Sequence, residues 1–447
     1  MNDILFQLIQ VAIGNRRELT RSFRQGSGQA HLSADEWANL RLEFKKQGML
    51  GIGYVGITKL PQPQCPPIQI LAQWVHNAEK IRKKNQKMNE ECRKVCALLD
   101  HDGFYSCVLK GQSNLPNYPA DLREYRTAGD IDVLCWPKGE IQIAEQKGSG
   151  VEYVGYKGNR AVIEYVLMQH RASLPALPRR ESAIKDEMPE VQYHHVDWSY
   201  GDTPVEVHYR ASWLNNPFAN ARLQRWSEEQ KSVCASRYCP PGRGGSGLRK
   251  SEGVAPGYSN TGLQPEQASS KGGLQPEQGF PIPSAGFNVV YQLVHINRHL
   301  FNEGIGLRQI LDYYFVLKTL PTSLLREETM LTLRSFHLAK FAGALMWVLQ
   351  EAFTSTELST GAMPSEYLLC PPDEKRGRFL LNEIMLAGNF GRYDERNVIA
   401  ANESYVHRFI RRQKRFLRFV TQYPSEVLWA PYFSVTQRLW RMWHGWR

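Results

Sequence analysis

Apolar positions recur at helical spacing over the first hundred residues, shift to alternation in the middle of the chain, and return to helical spacing in the last third. Ser33-x-x-Glu36 is a capping-box signature ahead of Trp37, Leu40 and Phe44, which share one helix face. After Pro66-Pro67, the series Leu71, Trp74, Val75, Ala78, Ile81, Met88, Cys92, Val95 and Leu99 predicts a long amphipathic helix reaching about Asp100. Lys80, Arg82, Lys83, Lys84 and Lys87 fall opposite, as a solvated face or a nucleic-acid contact. Gly103 ends that helix.

The period then shortens. Phe104–Leu109 and Asp130–Trp136 predict strands, the second closed by Pro137, and residues 158–170 predict a helix. Val191–Trp198 and Thr203–Arg210, joined by Ser-Tyr-Gly-Asp, predict an antiparallel hairpin. From Phe287 onward, helices are expected at 287–301, 306–319, 324–354, 375–387 and 402–422. The fold class is α+β: a small mixed sheet backed by helices, with helical regions before and after it. Four segments follow: 1–102 helical, 103–235 the α/β core, 236–286 an insertion, and 287–447 helical with a basic tail. Gly, Pro, Ser and Gln dominate the insertion, which carries Gly-Leu-Gln-Pro-Glu-Gln twice and reads as flexible.

Charge changes the picture at one end only. Of the formal net charge of +11, residues 401–447 supply +7, from nine Lys/Arg and two Glu. With the tryptophans of 437–447, this tail suits peripheral contact with a membrane or nucleic acid, or a basic amphipathic helix packed on its own domain. Eight cysteines without a C-x-x-C pair argue against a structural zinc. The start lacks a basic n-region, and the longest apolar run, Phe341 to Leu349, is too short to span a bilayer. A reduced, soluble, cytoplasmic protein is expected.

The candidate chemistry lies in the alternating middle. Asp130 and Asp132 are two apart in a strand, so their carboxylates share a face while Ile131 and Val133 take the other. Side by side they require a positive partner or solvent, and hard oxygen ligands favour Mg²⁺ or Mn²⁺. Lys110-Gly111 leaves a strand and enters a turn, where Gly permits close backbone approach and Lys110 and Ser113 can meet phosphate. Glu206 lies between two valines, with His208 and Arg210 on its face, and offers a third carboxylate. Arg126 either reaches phosphate or pairs with Glu124. Arg308 and Asp312, four apart, either form an ion pair or line the cleft. His194 and His195 near Asp197 suggest zinc with His208, but alternation puts the first two on opposite faces. His295 and His299, at i and i+4, read as part of a packed or surface helix.

Leu109-Lys-Gly, Tyr118-Pro, Arg126-x-x-Gly-Asp-Ile-Asp-Val-Leu and Val205-Glu-Val-His-Tyr-Arg together resemble an uncharacterised bacterial nucleotidyltransferase family within the DNA polymerase β-like superfamily. The specific motifs lie between 108 and 210. That resemblance implies a nucleotidyltransferase sheet with Asp130, Asp132 and Glu206 as a Mg²⁺ triad and as the catalytic residues. An NTP such as ATP is then the donor, bound by Lys110, Gly111, Ser113, Arg126, Gly129, His208 and Arg210. The superfamily's usual Gly-Ser or Gly-Gly turn is replaced here by Lys110-Gly111-Gln112-Ser113. The expected reaction moves a nucleoside monophosphate to an unidentified acceptor hydroxyl and releases pyrophosphate. The rival expectation is a non-catalytic binding protein with a degenerate transferase core, docking through its Trp-rich tail.

Overall fold

The computed structural model describes residues 2–20, 31–147, 150–173, 188–234, 237–239, 279–320, 322–355, 367–397 and 404–446. Four helices come first: α1 (Asn2–Ile13), α2 (Ala34–Lys46), α3 (Leu50–Lys59) and α4 (Ile68–His101). The Ser33–Glu36 capping box forms in both directions at the start of α2. The apolar face of α4 buries Trp74, Ala78, Met88, Cys92, Val95 and Leu99 as its spacing predicts, whereas Leu71 and Ile81 of the expected stripe are half-buried and Val75 is exposed. On the other face, Lys80, Lys83 and Lys87 are exposed, Arg82 pairs with Glu79, and Lys84 folds onto the Ala128 carbonyl.

The α/β part runs β1 (Phe104–Val108), α5 (Ala120–Arg123), β2 (Ile131–Pro137), β3 (Ile141–Lys147), β4 (Gly150–Tyr156), α6 (Gly158–Ser173), β5 (His195–Tyr200), β6 (Thr203–His208) and α7 (Pro217–Cys234). Four strands form one mixed sheet in the order β1-β2-β6-β5, with β2 and β6 parallel and the outer pairings antiparallel. The fold is α+β as predicted, and β5 and β6 form the expected hairpin. A second hairpin, β3 with β4, lies outside the strands expected from spacing. Strands β7 (Arg237–Cys239) and β8 (Phe280–Ile282) pair antiparallel, so the two ends of the Gly/Pro-rich stretch meet in a short ladder. Its residues 240–278 lie outside the described residues.

The sheet has two unlike faces. Ile131, Val133, Cys135, Val205 and Val207 bury against α4 and α6. The opposite face carries Leu134 with Cys107 and Leu109, and packs on Phe287 and Tyr291. Those two residues belong to α8 (Ala285–Asn302), which leads to α9 (Leu307–Leu317), α10 (Ser323–Ser335) and α11 (Ala339–Phe353). The single helix expected over 324–354 is therefore two, broken near His337, whose φ is +63°. Then come α12 (Glu374–Ala387), α13 (Tyr405–Leu417) and α14 (Pro424–Trp443).

Helices from both ends of the chain share one apolar core, in which Leu8, Phe44 and Trp74 join Val289, Ile310, Leu345 and Phe419. All eleven residues of α9 are buried, Arg308 and Asp312 among them. The basic tail forms α14, which buries Val427, Ala430 and Phe433 inward and leaves Leu428, Tyr432, Val435, Leu439 and Met442 exposed. Among the described residues, no helix is long and apolar enough to cross a membrane.

Candidate active site

Parallel pairing of β2 with β6 sets Asp132 directly beside Glu206, so these two carboxylates share the sheet face that looks toward α8. Asp130 sits just before β2, less buried, on the wall of a cleft. Lys110, Gly111, Gly129, Asp132, His295 and Arg308 also line that cleft. Asp132 is 1% exposed. Its Oδ1 receives Lys110 Nζ at 2.9 Å and lies 3.2 Å from His208 Nε2. Its Oδ2 is buried and meets no partner. His208 Nε2 is also 3.3 Å from Glu206 Oε2, so one imidazole bridges two carboxylates.

Electrostatics follow from this crowding. Burial works against the charge on Lys110, but Asp132, Asp130 and Glu206 outweigh it and hold the ammonium well above the ordinary lysine range. Burial likewise pushes Glu206 up, yet the His208 hydrogen bond with Lys110 and His195 brings its carboxyl far below the usual range. His208 is opposed by burial and raised by Asp132 and Glu206.

The turn that carries Lys110 is held from two sides. Gly111 has φ +67°, a conformation that glycine adopts without strain, and opens a 3₁₀ turn over Gly111–Asn117. Gln112 Nε2 reaches Asn89 Oδ1 on α4 at 2.8 Å, and Gln292 Nε2 on α8 reaches Asn114 Oδ1 at 2.6 Å. Asn85, buried in the middle of α4, donates to the carbonyls of Glu124 and Arg126 at 2.7 Å each. A polar residue interrupting the buried side of an amphipathic helix is the sequence signal for Asn85.

Arg126 does not pair with Glu124. Its Nε and Nη2 grip Asp312 Oδ1 and Oδ2 at 2.6 Å each, and Tyr118 Oη adds a third bond to Oδ1 at 2.6 Å. Arg308 is on the cleft wall and donates to the Thr127 carbonyl at 3.0 Å, with its Nε buried and unpartnered. Burial and Arg126 push Arg308 down to about 10, against the pull of Asp312 and Asp130. Of the two arginines, Arg308 is the one whose charge is not already claimed by a carboxylate. Its guanidinium also lies over the Phe390 ring.

Two expected phosphate contacts sit elsewhere. Ser113 is buried without a partner for its hydroxyl and does not line the cleft. Arg210 donates to the Tyr193 carbonyl at 2.7 Å and stacks over that tyrosine ring, off the cleft wall. The histidines also differ from expectation. His194 precedes β5, where the chain turns back through a Val191–Val196 bridge, so strand alternation does not govern it. Its ring lies 4.2 Å from that of His195 and 5.1 Å from that of His208.

A divalent cation fits this donor set. Asp132, Glu206 and His208 each offer a ligand atom within 4.8 Å of the others, and Asp132 keeps an orphaned buried oxygen. Residues 33–240 match the model of a family described as an uncharacterised nucleotidyltransferase. That stretch is similar to a nucleotidyltransferase domain. It holds the whole four-stranded sheet, Lys110, both aspartates and Glu206, whereas Arg308, Asp312 and His295 reach the cleft from outside it. No curated protein and no solved structure matches the chain.

Proposed function

We propose that the protein is a Mg²⁺-dependent nucleotidyltransferase that moves a nucleoside monophosphate from an NTP to an acceptor hydroxyl. The observation that carries this reading is the Asp132–Glu206 register, with an orphaned Asp132 oxygen and Lys110 resting on the same carboxylate. Asp130, Asp132 and Glu206 would hold Mg²⁺ or Mn²⁺, with His208 fixing the two inner carboxylates in place. A bound cation supplies charge neutralisation along the phosphates. Lys110, the left-handed Gly111, Gly129 and Arg308 then receive the triphosphate. The acceptor oxygen bonds to the α-phosphorus as the α–β bridging bond breaks, and pyrophosphate leaves. The acceptor proton would leave on the Glu206 side of the site, where His195 Nδ1 lies 3.5 Å from Glu206 Oε2.

Arg126 supports rather than binds in this account, since its guanidinium is committed to Asp312. Calorimetric titration with a non-hydrolysable ATP analogue tests the donor site. Binding that requires Mg²⁺ and weakens at least ~10-fold in Asp132→Asn is expected for a three-carboxylate cation site. Absence of binding in the native chain returns the reading to a non-catalytic protein.

A further inference from the structure

We infer that the hollow where helices α11 and α14 begin is a second ligand site, one that takes a phosphate group. Its walls are the end of α10, the turn at His337 and Leu338, and the first residues of α11 and α14, with Asn297 of α8 among them. It shares no lining residue with the donor cleft, so binding here is independent of the nucleotidyl-transfer reading.

Two helices bring bare starts to this space. Neither Leu338, ahead of α11, nor Tyr423, ahead of α14, caps the amides that follow with its side chain. Each first turn therefore keeps N–H groups that no capping side chain satisfies, and about half a positive charge. Helix starts alone do not make a site, and Asn297 supplies the independent sign. That residue is 1% exposed and lines the hollow, yet its Oδ1 is buried without a partner. A carboxamide left unbonded at that depth costs free energy that a ligand's polar oxygens recover, and its NH₂ offers two donors to them.

Charge selects the ligand. Arg334 and Lys340 stand exposed on the rim, and neither has a carboxylate partner among the described residues. Glu426 is the one carboxylate among the lining residues. It is buried and accepts from the Asn215 amide at 2.9 Å, and burial raises it to about 7, so it opposes an anion only weakly near neutral pH. Donors thus converge from two helix starts, two cationic side chains and one buried amide. A tetrahedral dianion can meet such separate directions at once, whereas a planar carboxylate cannot. Leu338, Phe341 and Pro424 supply an apolar wall beside these donors, so the phosphate is either the free ion or the head of a small monoester.

The test is calorimetric titration of the full chain with inorganic phosphate in ~0.15 M chloride, which screens loose surface pairing. A Kd of ~1 mM or tighter is expected, with a rise in the unfolding midpoint as phosphate is added. Arg334→Gln combined with Lys340→Gln changes two exposed positions and should leave the phosphate-free midpoint as it is. It should weaken phosphate binding at least ~10-fold and abolish the rise. Arg308→Gln, in the donor cleft, should leave phosphate binding unchanged. Hydrogen exchange on the native chain gives a readout that needs no variant: phosphate should slow the amides of residues 339–341. Phenyl phosphate in a parallel titration separates the two sources, since tighter binding than phosphate points to a monoester and equal or weaker binding to the free ion. No binding of either up to ~10 mM overturns the proposal. So does an unchanged affinity in the double variant, loss of binding in Arg308→Gln, or slowed exchange confined to other segments.

Discussion

Neutralising Asp312 separates the two readings of Arg126 most sharply. The Asp312 carboxylate is buried and accepts three bonds of 2.6 Å, two from Arg126 and one from Tyr118. Asp312→Asn preserves shape and still accepts from Tyr118, but it leaves Arg126 buried beside Arg308 with no counter-charge. Removing one partner of a buried pair costs about 3–5 kcal/mol, and the retained tyrosine bond places this case near 3. Arg308 is already pushed down to about 10 and would lose the carboxylate that supports its charge. Urea unfolding measures the loss as a lower midpoint at unchanged slope. Arg126→Met in the same background should recover part of the stability, giving a coupling of about 2–3 kcal/mol in the double-mutant cycle. A single-variant cost below ~1 kcal/mol with additive behaviour would refute the reasoning. It would mean that Arg126 is free to bind phosphate.

Two further perturbations follow from the same geometry. Glu426 is buried with its Oε2 2.9 Å from the Asn215 amide, and burial raises it from 4.5 to about 7. The folded state therefore binds this proton more tightly than the unfolded one, so stability is greatest below about pH 4.5 and falls as pH rises to about 7. The loss approaches ~3 kcal/mol. Thermal unfolding of Glu426→Gln should lack that component, so the difference between native and variant should vary over this window; parallel pH curves would contradict it. Gly111→Ala should cost about 1–2 kcal/mol, because φ is +67° while a Cβ there meets nothing closer than 3.8 Å. Gly111→Asn should recover part of it in the same unfolding assay, since Asn tolerates the left-handed region.

Local signals were legible where local forces decide structure. The Ser33–Glu36 capping box, the buried stripe of α4 and the β5–β6 hairpin each depend on residues close in sequence, and each was recoverable from spacing. The β3–β4 hairpin was missed although Ile141 and Ile143 alternate, because charged and polar residues dilute its pattern. The break at His337 was hidden by apolar residues that continue on both sides of it. Within the site, Asp132 and Glu206 were readable as same-face carboxylates because period-two alternation survives in both strands. Arg126 and Asp312 are 186 residues apart, so no local pattern connects them. His194 failed for a definable reason: alternation was applied one residue beyond the end of a strand.

Transfer of label from NTP tests the central claim most directly. Native protein, Mg²⁺ and each NTP labelled in turn at the α- and the γ-phosphate are incubated with a mixture of candidate acceptors that includes phosphorylated sugars. Label from the α-phosphate appearing in an acceptor, with γ-label appearing only in pyrophosphate, and both lost in Asp132→Asn, is the predicted result. Transfer of γ-label to an acceptor, or α-label transfer that survives Asp132→Asn, would contradict the account.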